Sequence, residues 1–144
     1  MTQERANKSG FDTRAIHAGY EPDAMTGAVN PPIYASSTFK QDGVGGLRGG
    51  YEYSRSANPT RTALEGAMAA VEEGERGFAF ASGLAAEDTI IRALTRPGDH
   101  AVIPDDAYGG TYRLFDKVEK VWGLDHSPAA VSEPDAVAAA IEKG

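Results

Sequence analysis

Residues 77–86 read Gly-Phe-Ala-Phe-Ala-Ser-Gly-Leu-Ala-Ala and predict a strand, a tight turn and the start of a helix. The apolar run 78–81 predicts a buried strand, and residues 84–94 are rich in Ala, Leu and Ile, as helices are. Free N–H groups at a helix N-terminus bind phosphate, and Gly83 has no Cβ to keep an oxygen away. Because small residues also cap helices without a ligand, a purely structural turn is the alternative.

A second strand and helix follow this unit. Residues 100–103 predict a short strand and residues 111–121 a helix, with Tyr108 in the loop between them. In open α/β sheets, ligands bind beyond the carboxyl ends of the strands, and an aromatic ring there can stack on a flat heterocycle. Tyr108 is therefore a candidate ligand contact, and the alternative is an ordinary packing role.

A second candidate for anion binding lies upstream, where residues 51–61 read Tyr-Glu-Tyr-Ser-Arg-Ser-Ala-Asn-Pro-Thr-Arg. If this segment is extended, alternation places Tyr51, Tyr53 and Arg55 on one face. The guanidinium fork suits phosphate or carboxylate, and a tyrosine adds one O–H donor. The alternative is an edge strand with two half-buried tyrosines and a solvated arginine.

A helix is predicted directly after this segment. Asn58 is a typical helix cap and Pro59 a typical first-turn residue. Leu64, Met68 and Val71 then form one apolar stripe at helical spacing, which predicts a face that packs in the core.

Residues 1–50 contain many of the glycines and prolines that are typical of loops, with no sustained hydrophobic period. They predict an extended arm and loop that lies on a partner surface. Residues 51–144 predict the first part of a larger α/β domain, truncated at its C-terminus.

Composition narrows the function classes. The chain has 144 residues and a net charge of −7, which argues against nucleic acid and anionic membranes as partners. It contains no cysteine, and its three histidines show no metal-ligand spacing, so neither a thiolate nor a metal site is predicted. Without a signal peptide or a long apolar run, a cytoplasmic location is predicted.

Six motifs in order resemble the Cys/Met-metabolism family of pyridoxal-phosphate enzymes, which includes cystathionine γ-synthase, cystathionine γ-lyase and sulfhydrylases. The motifs cover residues 13–19, 31–34, 37–39, 53–60, 82–86 and 108–113. The resemblance implies a fold-type-I, aminotransferase-like, doubly wound α/β domain that binds pyridoxal 5'-phosphate. It also implies small amino-acid substrates and a homo-oligomer, expected to be a homotetramer, with shared active sites.

The resemblance implies two sets of phosphate contacts. Tyr53 and Arg55 would reach into the neighbouring subunit's site and hold the cofactor phosphate there. Ser82, Gly83 and Leu84 would form the phosphate turn of their own subunit, with Gly83 and Leu84 as backbone donors. Family members more often have Met at the position of Leu84, but a backbone donor depends little on its side chain.

The remaining implied roles concern the ring and the substrate. Tyr108 would be a catalytic residue, stacked on the pyridine ring and close to the reacting Cα. Glu52 stands where relatives have an acidic residue near the amino-acid substrate, and Arg113 resembles a position that lines the substrate pocket.

The resemblance implies transsulfuration, most similar to γ-replacement on an O-activated homoserine by cysteine in methionine biosynthesis. γ-Elimination from cystathionine and the use of sulfide are the alternatives within the family, and a non-catalytic phosphate-binding or assembly module is the alternative from another class. No lysine here has the family's Ser/Thr-flanked context for the Schiff-base lysine, so the 144-residue piece is expected to be inactive alone. The lysines are Lys8, Lys40, Lys117, Lys120 and Lys143, each interpreted as a surface charge.

Overall fold

The computed structural model describes residues 9–144. The surface position predicted for Lys8 therefore lies outside the described residues. The chain divides into two compact units, of which the first ends at Ala79 and the second covers Phe80–Gly144. The predicted boundary at residue 50, between an extended arm and a larger α/β domain, refers to a longer protein and stays a prediction.

The first unit contains helices α1 (Phe11–His17) and α2 (Pro59–Val71). The predicted start of α2 is confirmed, since the Asn58 side chain accepts a hydrogen bond of 2.9 Å from the Thr60 N–H and Pro59 is in the first turn. Two glycines let the backbone of this unit pack closely: Gly19 has a φ of +88°, and a Cβ on it would overlap the backbone of Gly66.

The prediction that the apolar stripe of α2 lies in the core is wrong for this unit. Leu64 is 54% exposed and Met68 50% exposed. Periodicity tells which residues share a helix face, but not whether another element covers that face. Among the residues of the first unit that the structure describes, Ala18 is the one buried hydrophobic side chain.

The second unit alternates helices and strands. In chain order its elements are α3 (Gly83–Leu94), β1 (His100–Pro104), α4 (Gly109–Leu114), a π-helical turn (Phe115–Glu119), α5 (Lys120–Trp122), β2 (Asp125–Ala129) and α6 (Pro134–Ile141). β1 and β2 pair in parallel, with His100 opposite Asp125. This arrangement confirms the predicted α/β class, the strand at 100–103, and the helices at 84–94 and 111–121.

A small hydrophobic core holds the second unit together. Ile103 of β1, Phe115 and Leu124 are buried, and Ile91 of α3 and Trp122 pack against them. The core therefore joins the sheet to helices on both sides of β1 in the sequence.

The prediction of a buried strand at residues 78–81 is wrong. Phe78 is 72% exposed and Phe80 42% exposed, and the segment joins no strand among the described residues. A strand needs a neighbouring backbone edge to pair with, whereas here the Ala79 N–H donates to the Glu65 carboxylate at 2.9 Å. An apolar run alone does not supply that edge.

No helix in residues 9–144 is long and apolar enough to cross a membrane. The same residues contain no group of three or more His, Asp or Glu side chains placed to hold a metal ion. The cytoplasmic location stays a prediction.

Candidate cofactor site

The N-terminus of α3 presents open backbone donors. The Ser82 hydroxyl accepts a hydrogen bond of 3.1 Å from the Ala85 N–H, and the Ser82 carbonyl accepts one of 3.2 Å from the Ala86 N–H. The N–H groups of Gly83 and Leu84 have no acceptor within residues 9–144. A Cβ placed on Gly83 would meet no atom within 4 Å. This turn can therefore take an anion at the positive end of the α3 dipole.

Tyr108 follows the carboxyl end of β1, as predicted, and stands immediately before α4. Its carbonyl accepts a hydrogen bond of 3.1 Å from the Tyr112 N–H, which holds the start of the helix. Its side chain is 72% exposed. Its role toward a ligand stays a prediction.

Tyr53 and Arg55 lie together in the first unit. The Arg55 guanidinium carbon is 5.0 Å from the centroid of the Tyr53 ring, within the range of a cation–π contact. The sequence predicted that a strand continuing to Arg55 would bring the two side chains together, but no such strand forms among the described residues. Tyr53 forms an isolated bridge with Thr38, and its carbonyl then accepts the N–H groups of Ser56 and Ala57 at 3.0 Å each, which closes a turn.

Tyr51 does not join this pair through an unbroken strand face. It forms its own isolated bridge with Arg48, and its ring packs at 5.6 Å from the ring of Phe39. The predicted strand alternation through Tyr51, Tyr53 and Arg55 is therefore wrong, because the turn after Tyr53 ends the extended segment before Arg55. Tyr51 has a packing role.

Arg55 differs from Arg48 and Arg61 of its unit in its charge environment. Arg48 pairs with Asp42, and Arg61 lies 3.6 Å from Glu65. Among residues 9–144, no carboxylate is within ion-pair distance of Arg55. Its positive charge is therefore available to an anionic group.

The two predicted substrate contacts are exposed. The backbone carbonyl of Glu52 accepts a hydrogen bond of 2.8 Å from the Phe39 N–H, and the residue is exposed. Arg113 lies on α4 with its guanidinium near Gly109. Their roles toward a substrate stay predictions.

Sequence reasoning missed two polar features of the second unit. The Thr111 hydroxyl donates to the Glu87 carboxylate at 2.8 Å and so joins α4 to α3. Glu119 is fully buried and accepts a hydrogen bond of 3.2 Å from Arg92, while burial raises the pKa of its carboxyl. No motif marks these residues. The available signal was that Glu87 and Thr111 each follow a predicted site residue by about one helical turn.

The comparisons with known proteins agree with the motifs. Residues 12–144 match the family described as Cys/Met metabolism PLP-dependent enzyme. The chain is 62% identical over 144 residues to the cystathionine gamma-synthase of Mycobacterium tuberculosis. That alignment covers 98% of this chain and 37% of that protein. It is 57% identical over 120 residues to the cystathionine beta-lyase of Coxiella burnetii, with 83% of this chain and 30% of that protein covered.

A solved structure shows the same fold. The metB protein of Corynebacterium glutamicum matches with a TM-score of 0.90 and 51% identity over 94% of this chain and 35% of that one. The chain thus spans about a third of the length of these relatives. Pyridoxal phosphate is the cofactor of the family, and the open donors of Gly83 and Leu84 fit its phosphate. The chain belongs to the Cys/Met-metabolism family of PLP-dependent enzymes.

Proposed function

We propose that this chain is the N-terminal part of a longer enzyme, here called the parent enzyme, that carries out γ-replacement. The sulfur of cysteine would bond to Cγ of an O-acylated homoserine, whose acyloxy group leaves as a carboxylate, and the product would be cystathionine, a step toward methionine. The observation that carries this proposal is the 62% identity to relatives named cystathionine gamma-synthase. The 57% identity to a cystathionine beta-lyase supports a second candidate, which is elimination from cystathionine.

The phosphate would be held by donors of two kinds. The N–H groups of Gly83 and Leu84 bind it directly, and Ser82 keeps the turn in shape by capping α3. Arg55 adds a positive charge with no carboxylate partner among the described residues, and Tyr53 adds one O–H. We assign Tyr53 and Arg55 to the site of a neighbouring subunit, so the parent enzyme would be a homo-oligomer, with a homotetramer as the expected form.

The cofactor, when bound, supplies an electron sink for carbanion chemistry at the amino-acid substrate. Tyr108 would cover one face of the ring, and its hydroxyl would hold or move a proton near the substrate Cα. The exposed ring of Tyr108 is free to take this place. Glu52 and Arg113 would bind and orient the charged ends of the amino-acid substrate.

Product analysis tests the proposed reaction. The purified parent enzyme is incubated with O-succinylhomoserine or O-acetylhomoserine and cysteine, and separately with cystathionine alone. We expect cystathionine to form in the first incubation faster than it is cleaved in the second. Cleavage that exceeds formation would overturn γ-replacement in favour of elimination. A preparation without pyridoxal phosphate and without either activity would support the assembly-module alternative.

A further inference from the structure

One side-chain hydrogen bond joins the two helices that carry the proposed ring and phosphate contacts. Thr111 Oγ1 donates to Glu87 Oε2 at 2.8 Å in a partly buried position. Glu87 lies on α3 about one turn after Gly83, and Thr111 lies on α4 about one turn after Tyr108. The bond therefore connects the starts of both helices directly.

The ring of Tyr108 lies against its own helix. Gly110 is buried, and a Cβ on it would overlap the Tyr108 ring. The ring therefore rests on the backbone of α4, with no side chain at position 110 to separate them. A shift or rotation of α4 would carry the ring with it.

The acceptor in this connection is a carboxylate. Hydrogen bonds to an ionised group are stronger than those between neutral groups. A hydrogen bond of Thr95 gives a contrast in the same unit, since its hydroxyl donates at 2.7 Å to the Ile91 carbonyl, within the final part of α3. That bond connects no second element, whereas the bond between Thr111 and Glu87 spans two.

We propose that Glu87 is a positioning residue that fixes Tyr108 relative to the phosphate turn. By accepting a hydrogen bond from the Thr111 hydroxyl, Glu87 holds the start of α4 against α3. The Tyr108 ring keeps its place relative to α4 because it lies against Gly110. The proposal rests on the proposed function, in which Gly83 and Leu84 bind the phosphate and Tyr108 covers the ring. A small displacement of the Tyr108 ring is enough to affect the reaction, because a misplacement of catalytic groups by about 1 Å can lower the rate by a large factor.

The first test removes the hydroxyl in the parent holoenzyme. Thr111→Val keeps the shape of the side chain, Thr111→Ser keeps the donor, and Thr95→Val is the matched control. Visible circular dichroism of the bound cofactor reports the ring environment, and kcat and KM are measured separately. We expect Thr111→Val to reduce the cofactor signal and to lower kcat about tenfold with little change in KM. Thr111→Ser and Thr95→Val should keep the wild-type signal.

A second pair of variants tests the step from helix to ring without touching the hydrogen bond. Gly110→Ala places a Cβ where the Tyr108 ring lies, whereas Gly109→Ala places one at an ordinary 3.5 Å from the Arg113 guanidinium. We expect the cofactor signal to change in Gly110→Ala and to stay in Gly109→Ala. Equal signals in both variants would overturn the transmission through Gly110.

Tyr108→Ala distinguishes failure of the proposed role of Tyr108 from failure of the positioning role of Glu87. If Tyr108→Ala leaves the cofactor signal unchanged, the proposed role of Tyr108 fails, and the positioning role fails with it. If Tyr108→Ala changes the signal but Thr111→Val lowers only the melting temperature, as Thr95→Val would, the positioning role alone is overturned. Loss of the signal in both Tyr108→Ala and Thr111→Val, with recovery in Thr111→Ser, supports the proposal.

Discussion

The two compact units differ in what holds them together. The second unit has a buried core of Ile103, Phe115 and Leu124 under a parallel strand pair. The described part of the first unit relies more on polar contacts, such as the hydrogen bond of 3.1 Å from the Asn58 side chain to the Tyr34 carbonyl. The turn at Ser82 and the Tyr108 loop thus belong to a unit with a packed core, whereas Tyr53 and Arg55 lie in hydrogen-bonded loops.

This difference bears on how each unit could contribute to one site. Apolar burial is the largest favourable contribution to folding, and the first unit leaves the Leu64 and Met68 side chains of α2 half exposed. A region of this kind gains little from its own burial and more from surfaces that other parts of an assembly supply. The proposed insertion of its Tyr53 and Arg55 into a neighbouring site agrees with that requirement.

The largest expected effect compares leucines of the two units. Leu124 is 0% exposed, so Leu124→Ala should lower the free energy of unfolding by about 2–5 kcal/mol through lost burial and a cavity. Leu64 is 54% exposed, and Leu64→Ala should cost less than about 1 kcal/mol in the 144-residue chain. Urea unfolding followed by far-UV circular dichroism, which reports the helices of both units, measures both, with Leu94→Ala, an exposed position of the second unit, as control. Equal losses for Leu124 and Leu64 would contradict the contrast between the units.

The next effect concerns the loop-held pair in the parent enzyme. Arg55→Ala removes a charge-assisted contact to the phosphate and should weaken cofactor binding by about 1.5–3 kcal/mol. Tyr53→Phe removes one neutral O–H and should cost about 1 kcal/mol. Arg48→Ala is the matched control, because Arg48 already pairs with Asp42.

Cofactor dissociation constants of the three variants decide this comparison. The expected order of loss is Arg55→Ala, then Tyr53→Phe, with Arg48→Ala near wild type. A loss in Arg48→Ala as large as that in Arg55→Ala would mean that the effect comes from the loop fold rather than from a phosphate contact.

The smallest effect concerns pH and the packed unit. Burial raises the pKa of Glu119 above its ordinary value of 4.5, so the folded state binds its proton more tightly than the unfolded state does. The free energy of unfolding should therefore decrease as pH rises from 4.5 through the raised folded-state pKa, and stay level above it. The hydrogen bond from Arg92 lowers the pKa of Asp88 below 3.8. The contribution of Asp88 to the free energy of unfolding is therefore lost only as the pH drops below that value.

Glu119→Gln isolates the first of these contributions. The amide keeps an oxygen that can accept from Arg92, but it cannot titrate. Urea midpoints measured at several pH values above 4.5 should decrease with pH in the wild type and stay flatter in Glu119→Gln. Parallel pH profiles for the two proteins would rule out Glu119 as the source of the decrease.

Features that depend on neighbouring residues were predictable from the sequence. The Asn58 cap and the helix that begins at Gly83 follow from local propensity and capping chemistry. Residues 78–81 were mispredicted because a strand depends on a partner edge, and the stripe containing Leu64 because burial depends on a covering surface. Neither requirement can be read from the segment itself.

The candidate site shows the same limit. Tyr53 and Arg55 do lie together, but a turn and a cation–π contact bring them together rather than strand alternation. The bond between Thr111 and Glu87 could not be predicted, because its partners are 24 residues apart and belong to different helices. Motifs identified candidate contacts, whereas the connections that hold them needed the three-dimensional structure.

We propose that Arg55 of one subunit completes the cofactor site that the turn at Ser82 forms in another subunit. Mixing two inactive parent-enzyme variants tests it, one with Arg55→Ala and one without the lysine that is expected beyond this stretch. In a mixed dimer, one site would combine the intact Arg55 of one chain with the intact lysine of the other. We predict recovery toward about a quarter of wild-type activity after random exchange. No recovery, with subunit exchange demonstrated independently, would show that Arg55 serves its own chain and would contradict the claim.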